Sequence, residues 1–325
     1  MLEKNSSLVF IVKKTNQLTS EDLEQLLLLH NKTMNKKRTK RQFEDKYSLN
    51  FLGFSFHSLM ICNNKIVGCN TAIPQEFIFF KKKYTFGQWC ETLIDDKFRG
   101  MLSNFKKLGN ILNKELLKNN IYFIYGLPNR TLYIVSKRLL GMKDIVKLDY
   151  YVYPIKLNKF LIKYYPLNNL LSFFIKFLIK FRFKFKKRFN NQIQKIYNNS
   201  FHQSRYNNNE DYRIFNINGC KIIYKIDISE RFNKAKIIWI VDILPLYKLN
   251  LENAVDYLRK KYDDIDLIIY IGKISSLPYN LIKIPSHFIK ENNIVSGKIL
   301  DEDKIDNSIF DYKNWNINSS NFDYR

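Results

Sequence analysis

Short apolar runs and stretches of helical spacing take turns along the first half of the chain. Residues 8–12 (Leu-Val-Phe-Ile-Val) read as a strand. Thr19 then opens a helix, with Asp22 three residues on as a capping box ahead of Leu23, Leu26, Leu27 and His30. Runs 58–62 and 65–72 flank Asn63-Asn64, residues that tolerate positive φ and predict a two-residue hairpin turn. Residues 84–94 form a longer strand and 95–100 a polar loop. Phe105, Leu108, Ile111, Leu112 and Leu116 then make the apolar stripe of a helix over 105–117. A short strand at 122–125 closes at Gly126 and Pro128, a helix over 131–140 stops at Gly141, and 147–153 is the last strand of this half.

The second half alternates in the same way. Residues 212–217 and 220–228 predict a hairpin turned at Asn218-Gly219, with a strand at 236–243, an amphipathic helix at 250–262 and a buried strand at 265–271 ending at Gly272. Between the halves the composition shifts. Leu170, Phe174, Phe177, Phe181 and Phe185 keep helical spacing, and Arg182, Lys184, Lys186, Lys187 and Arg188 form a basic block. Lys176 and Lys180 sit near the middle of this run, and a membrane span needs about 20 apolar residues, so a transmembrane helix is disfavoured. Three readings of 170–188 stay open: a helix lying on an anionic membrane surface, an insertion helix bridging two domains, or a nucleic-acid contact. Nucleic acid is the weakest, because no RNA- or DNA-reading motif accompanies the block. Residues 190–209, polar and Asn-rich, read as a linker.

Composition narrows the class. At 325 residues, a prior of about 150 per domain gives two domains. Hydrophobic content of 46% with 15% aromatic excludes wholesale disorder. Lys+Arg 54 against Asp+Glu 30 leaves a net charge of +24, which invites a polyanion partner. Drift in an AT-rich genome, which favours Lys, Asn, Ile, Phe and Tyr, accounts for it equally well. The charge gathers in a small group at Lys97 and Arg99 and a dense block at 176–188, and is otherwise scattered. Cys62, Cys69, Cys90 and Cys220 have no CxxC spacing and the four histidines form no cluster, so no metal site is expected. Residues 1–14 lack a cleavable apolar region followed by small residues. The expected location is the cytoplasm, peripheral at the inner face of the membrane if 170–188 binds lipid.

Two segments carry a family resemblance. Glu91-Thr92-Leu93-Ile94-Asp95-Asp96-Lys97-Phe98-Arg99-Gly100 looks like a fourth strand running into a (V)xPxxRGxG pyrophosphate loop. Tyr125-Gly126-Leu127-Pro128-Asn129, followed by Leu139-Leu140-Gly141-Met142, looks like the Y-G-F-P-N … K-x-L-G-F segment of enzymes from surface-polysaccharide clusters. With the element order β-α-β-β-β-α-β-α-β over 8–154, the chain resembles the GNAT N-acyltransferase superfamily. Residues 244–247 lack any RxxGxG, so the second half resembles a degenerate copy. Its ending (Ile284-Pro285, Gly297-Lys298-Ile299-Leu300, Trp315 and Ser320-Asn321-Phe322-Asp323) is similar to the tails of the polysaccharide-cluster enzymes. The implied fold class is α/β (α+β): two GNAT-like mixed-sheet halves, 1–155 and 211–325, joined by a basic helical segment, 156–210.

The resemblance implies acyl-CoA, acetyl-CoA in particular, as cofactor. Its pyrophosphate needs N–H donors and positive charge, which a loop entering a helix N-terminus supplies. On that pattern Arg99 adds a cation and Gly100 lets backbone approach the phosphates. Met101, Leu102, Ser103 and Asn104 complete the loop, Asn104 taking the positive-φ role of the family's second glycine. Amides around Leu93 and Ile94 hold the pantetheine where the fourth and fifth strands splay, and Asn129 orients the thioester end. Attack of an amine on a thioester needs a base and an oxyanion donor. Glu91, inside an apolar strand beside Cys90, is the expected base with a raised pKa, the alternative being a solvent-facing strand carboxylate. Tyr133 is the expected acid for the departing thiolate, against plain helix packing, and Ser136 stands where the family often has an aromatic acid. Asp95 and Asp96 read as solvated loop charges, and Asp323 as a substrate contact or a surface carboxylate. The function implied is acyl transfer to an amino sugar, nucleotide-linked, in cell-surface glycan assembly. An aminoacyltransferase using charged tRNA and a non-catalytic module of the same fold are the alternatives.

Overall fold

Side-chain caps and left-handed turn residues fix where the elements of the first half begin and end. The computed structural model describes residues 7–35, 37–156, 192–197, 206, 211–230, 233–246, 248–274, 278–289 and 293–322. Strand β1 spans Leu8–Lys14, and Thr19 caps helix α1 (Ser20–Met34) through a reciprocal box with Asp22. Thr39 caps helix α2 (Lys40–Ser48) in the same way with Gln42. Strands β2 (Phe56–Cys62) and β3 (Lys65–Phe79) turn at Asn63 and Asn64, both at positive φ. Between β3 and β4 (Lys82–Ile94) the turn falls on Phe80 and Lys81, again at positive φ and without help from Gly or Asn. Then come α3 (Asp96–Arg99), α4 (Leu102–Lys118), β5 (Ile121–Gly126), α5 (Arg130–Leu140) and β6 (Lys143–Lys147). Strands β7 (Asp149–Pro154), β8 (Ile193–Lys195), β9 (Tyr212–Ile217), β10 (Cys220–Ser229) and β11 (Ala235–Leu244) follow. Helix α6 (Lys248–Lys261) and strands β12 (Leu267–Gly272), β13 (Ile282–Lys283) and β14 (Ile294–Ile299) follow, ahead of a two-residue strand at Trp315–Asn316.

The chain forms two compact units. One gathers Met1–Val146, Gln192–Asn208 and Asn292–Tyr312. Its sheet runs β1-β2-β3-β4-β5-β14-β6, with β8 added beside the far end of β3. Alternation along the strands sends side chains to two cores. Leu26, Leu29, Phe43, Tyr47, Leu59 and Leu93 pack under α1 and α2. Met60, Ile94, Phe105, Leu108, Leu112, Leu116 and Leu140 pack under α4 and α5. The other unit gathers Lys147–Asn191, Asn209–Glu291 and Lys313–Arg325, with sheet order β13-β7-β12-β11-β10-β9. Within it α6 connects the parallel strands β11 and β12, and Ile238, Ile240, Leu251, Val255, Leu258 and Ile268 form its core.

Mixed α/β architecture with two mixed sheets matches the expected fold class, while three details differ. The run expected as one strand at 147–153 is divided: β6 ends at Lys147 in the first sheet, and β7 pairs with β12 in the second. The stretch 294–299, expected in the second half, is β14 and pairs antiparallel with β5 of the first (Gly297↔Tyr125, Lys298↔Ile124). Within the expected linker 190–209, β8 pairs with β3 (Phe77↔Lys195). In each case the partner strand is distant in sequence, so local composition carries no sign of it. The boundaries 1–155 and 211–325 therefore cut across both sheets. The basic segment 170–188 and Asp323 lie outside the described residues.

Placement of β14 has a steric signature. A Cβ at Gly297 would stand 2.8 Å from the Ile124 carbonyl oxygen, a backbone atom, and 2.8 Å from Ile145 Cδ1. Gly297→Val should therefore cost about 1–3 kcal/mol of stability through overpacking. Urea unfolding checks this, and an unchanged midpoint would argue against β14 lying beside β5.

Candidate active site

Strands β4 and β5 run parallel from Thr85↔Ile121 to Gln88↔Tyr125 and then part. The remainder of β4 stays paired with β3 on its other edge, through Trp89↔Ala72, Thr92↔Asn70 and Ile94↔Gly68. At the divergence β4 bulges, so that Cys90 and Glu91 both lie opposite Thr71. Beyond β4 and the short α3, α4 begins without a side-chain cap, Met101 occupying the N-cap position. An uncapped start leaves N–H donors at the positive end of the helix dipole. Met101 and Leu102 are exposed there, and a Cβ at Gly100 would have open space around it.

The residues expected at this site are placed as follows. Leu93 and Ile94 bury their side chains in opposite cores, leaving only backbone to offer. Arg99 pairs with Asp96 at 2.9 Å and donates to the Ile94 carbonyl oxygen at 3.3 Å, its side chain more than half exposed. Helix α4 starts about a turn earlier than its apolar stripe suggests, so Leu102, Ser103 and Asn104 are helical rather than loop. Asn104 consequently has no positive φ; it is buried in the first turn of α4. Gly100 also has helical backbone, with φ −70°. Asn129, exposed just after β5, caps α5 by accepting from the Leu132 amide at 2.9 Å. Tyr133 donates to Asp144 at 2.9 Å and accepts from Lys137 at 3.1 Å, while Ser136 is buried and donates to the Tyr133 carbonyl. Asp95 is not a loosely solvated charge. It caps α3 by accepting from the Lys97 amide and meets Lys32 at 2.7 Å, and that bond lowers its pKa.

Glu91 is the centre of a nearly buried ion network. Arg38 grips it with both guanidinium nitrogens at 2.7 and 2.6 Å, Lys46 donates at 2.8 Å and the Tyr47 hydroxyl at 2.6 Å. His30 Nε2 stands 4.0 Å away. Burial by itself would raise the Glu91 carboxyl, but the charges and hydrogen bonds of Lys46 and Arg38 outweigh it and hold the group well below the ordinary range. The expectation of a raised pKa is thus reversed, and a carboxylate so stabilised is a weak proton acceptor at neutral pH. Burial, and then Arg38, lowers His30, while burial and the Glu91 charge raise Tyr47. Behind this layer His57 lies between Thr71 and Thr15, 3.0 Å from each, and burial pushes its pKa down to about 3. Phe43 and Tyr47 pack against its ring.

Arg38, Lys46 and Tyr47 were not anticipated from the sequence. They belong to α2 and the turn before it, and Thr39-Lys40-Arg41-Gln42 is a capping-box pattern that marks this helix.

No family model matches the sequence, and no curated protein does. Solved structures do match the fold. A probable N-acyltransferase from Enterococcus faecalis V583 superposes with a TM-score of 0.58 at 12% identity, over 90% of this chain and 73% of that one. A GCN5-related N-acetyltransferase from Anabaena variabilis ATCC 29413 gives 0.58 at 11%, over 90% and 73%. Another from Kribbella flavida gives 0.56 at 8%, over 91% and 72%. The chain thus has the fold of the GCN5-related N-acetyltransferases. Among the described residues no helix is long and apolar enough to cross a membrane.

Replacing Glu91 tests the network. Glu91→Gln leaves Arg38 and Lys46 without their shared carboxylate, so it should cost about 3–5 kcal/mol at pH 7. A group whose folded pKa is depressed stabilises above its ordinary value of 4.5 and loses that contribution as pH falls below it. Denaturation of both proteins at pH 7 and in acid should show the difference shrinking as pH drops.

Proposed function

We propose that this protein is an acyl-CoA-dependent N-acyltransferase. One observation carries the reading: the β4–β5 ladder stops at Gln88↔Tyr125, and the chain that follows, the end of β4 and the short α3, leads to the uncapped start of α4. Backbone donors along a diverging strand and at a helix N-terminus suit a linear cofactor that has amide groups and a pyrophosphate. The residues present fit such a group. Open space at Gly100 admits phosphates, Arg99 supplies a cation beside them, and Asn129 is exposed while its side-chain carbonyl caps α5. When bound, the acyl thioester supplies the electrophilic carbon for the acceptor amine.

The protein's own share in this chemistry is positioning. Leu93 and Ile94 hold pantetheine through backbone, and the first turn of α4, from Met101 through Leu102, Ser103 and Asn104, frames the pyrophosphate. Glu91 remains ionised and fixes Arg38, Lys46 and Tyr47 on the bulge. Tyr133 is the proposed proton donor to the departing thiolate, with Lys137 donating to its oxygen. Resemblance of the 125–129 and 139–142 segments to surface-polysaccharide enzymes supports acetyl-CoA as donor and a nucleotide-linked amino sugar as acceptor. The basic segment 170–188 would then hold the enzyme near an anionic inner membrane surface.

Calorimetric titration with coenzyme A and acetyl-CoA tests this proposal. Binding should be seen, and Arg99→Ala should weaken it by about 3–10-fold, as expected for one exposed cation at a phosphate. Absence of both heat and thermal stabilisation at about millimolar ligand, where even a weak site would fill, would sink the reading.

A further inference from the structure

The second unit repeats the local arrangement of the first up to the point where its strands part. β11 and β12 run parallel from Ile237↔Leu267 to Ile240↔Tyr270, joined by α6, and then separate. Beside that point β11 carries an extra residue against β10, pairing through Ile240↔Tyr224 and then Asp242↔Ile223 around Val241. β4 does the same at Cys90 and Glu91. Each bulge carries a carboxylate inward, the nearly buried Glu91 in one unit and the fully buried Asp242 in the other. Arg38, Lys46 and Tyr47 hold the first. Asn318 meets the second, donating from Nδ2 to Asp242 Oδ1 at 2.9 Å, and the Ile243 amide donates to the same oxygen at 2.9 Å.

Asn318 belongs to a segment, 317–322, that touches both diverging strands. On β11, Ser319 Oγ donates to the Val241 carbonyl at 3.0 Å. At the end of β12, Asn318 forms an antiparallel bridge with Gly272, and the Lys273 amide donates to the Ile317 carbonyl at 2.9 Å. The segment also folds on itself. Asn318 Oδ1 accepts from the Ser320 amide at 2.9 Å and its hydroxyl at 2.6 Å, and Asn321 Oδ1 accepts from the Asn318 amide at 2.9 Å. All of 317–322 is buried, Asn318 to 2% exposure and Asn321 to 0%. A Cβ at Gly272 would stand 2.9 Å from Asn318 Cβ and 2.7 Å from the Tyr270 hydroxyl, so a glycine is needed for the segment to come this close. A polar, Asn- and Ser-rich stretch ordinarily lies in solvent. Here its polar groups match those that strand divergence exposes.

We propose that segment 317–322 is a built-in occupant of the β11–β12 cleft, filling the place in the second unit that the first unit offers to a cofactor. The chain therefore takes one equivalent of acyl-CoA. The stoichiometry rests on the function proposed above; the occupancy does not.

Hydrogen exchange of the full chain, with and without coenzyme A, tests both parts alongside calorimetric stoichiometry. Amides of 318–322 should exchange on the order of 1,000-fold more slowly than in an unstructured peptide, as for a segment opening only with its unit. Coenzyme A should leave that protection unchanged, add protection at the start of α4, and titrate to one equivalent. Gly272→Val should strip protection from 318–322 without removing the equivalent bound by the first unit. Unprotected amides in the wild-type chain, their release by coenzyme A, or a stoichiometry of two would overturn the proposal. Complete absence of binding would remove the acyl-CoA reading, and the wild-type exchange rates would still decide the occupancy.

Discussion

Parallel strands that diverge leave a row of backbone donors and acceptors that must find partners, because an unpaired buried peptide group costs about as much as a lost hydrogen bond. This constraint arises twice among the described residues, where β4 leaves β5 after Gln88 and where β11 leaves β12 after Ile240. Much else in each unit is arranged around it. In the first, β4 keeps its outer edge paired with β3, bulges at Cys90 and Glu91, and leads through the short α3 to the uncapped start of α4. In the second, the strand ends receive Asn318 and Ser319. One βαβ geometry has thus been completed in two ways.

The bulge in β4 also sets where charge lies. Two residues opposite one re-aim the side chains that follow, and Glu91 is turned under α1 and α2 instead of toward solvent. A buried carboxylate is tolerable only when paired, and Arg38, Lys46 and Tyr47 meet that need from α2 and the turn before it, far away in sequence. The network in turn ties α2 to the sheet beside the divergence. Phe43, stacked on the His57 ring, and Tyr47, edge-on to it, continue the same contact into the apolar core, where His57 stays neutral.

What could be read from the sequence was whatever is encoded locally. Asn63-Asn64 and Asn218-Gly219 turn hairpins because these residues accept positive φ, and both turns stand where expected. The Thr19–Asp22 box opens α1 as expected; the equivalent Thr39–Gln42 box was equally legible, but the charged sequence around it masked the helix. Phe80-Lys81 turns without any turn residue, held by the long β3–β4 ladder on either side. Non-local pairings left no trace. Nothing in 294–299 states that it will lie beside β5, and nothing at Leu148 states that the strands on either side will join different sheets. The environment of Glu91 is hidden from the local sequence for the same reason: its partners stand 53 and 45 residues away. The neighbours that suggested an apolar setting, Cys90 and Leu93, do not determine its charge.

The fixed charge at Glu91 bears on how the proposed chemistry runs. An amine arriving as an ammonium must lose a proton before it attacks a thioester. A carboxylate that two cations and a phenol hold in its ionised form gives up much of that stabilisation on protonation, so it is a poor resting place for the proton. His30, 4.0 Å from the carboxylate, is disfavoured as a cation by burial and by Arg38. Glu91 thus stays ionised, and the surroundings of His30 favour its neutral form. The bulge therefore presents a constant electrostatic surface, which favours a role in orienting reactants over one in carrying protons. Such a site works by what it holds still, and that agrees with its construction from strand ends and a helix start rather than from mobile titrating groups.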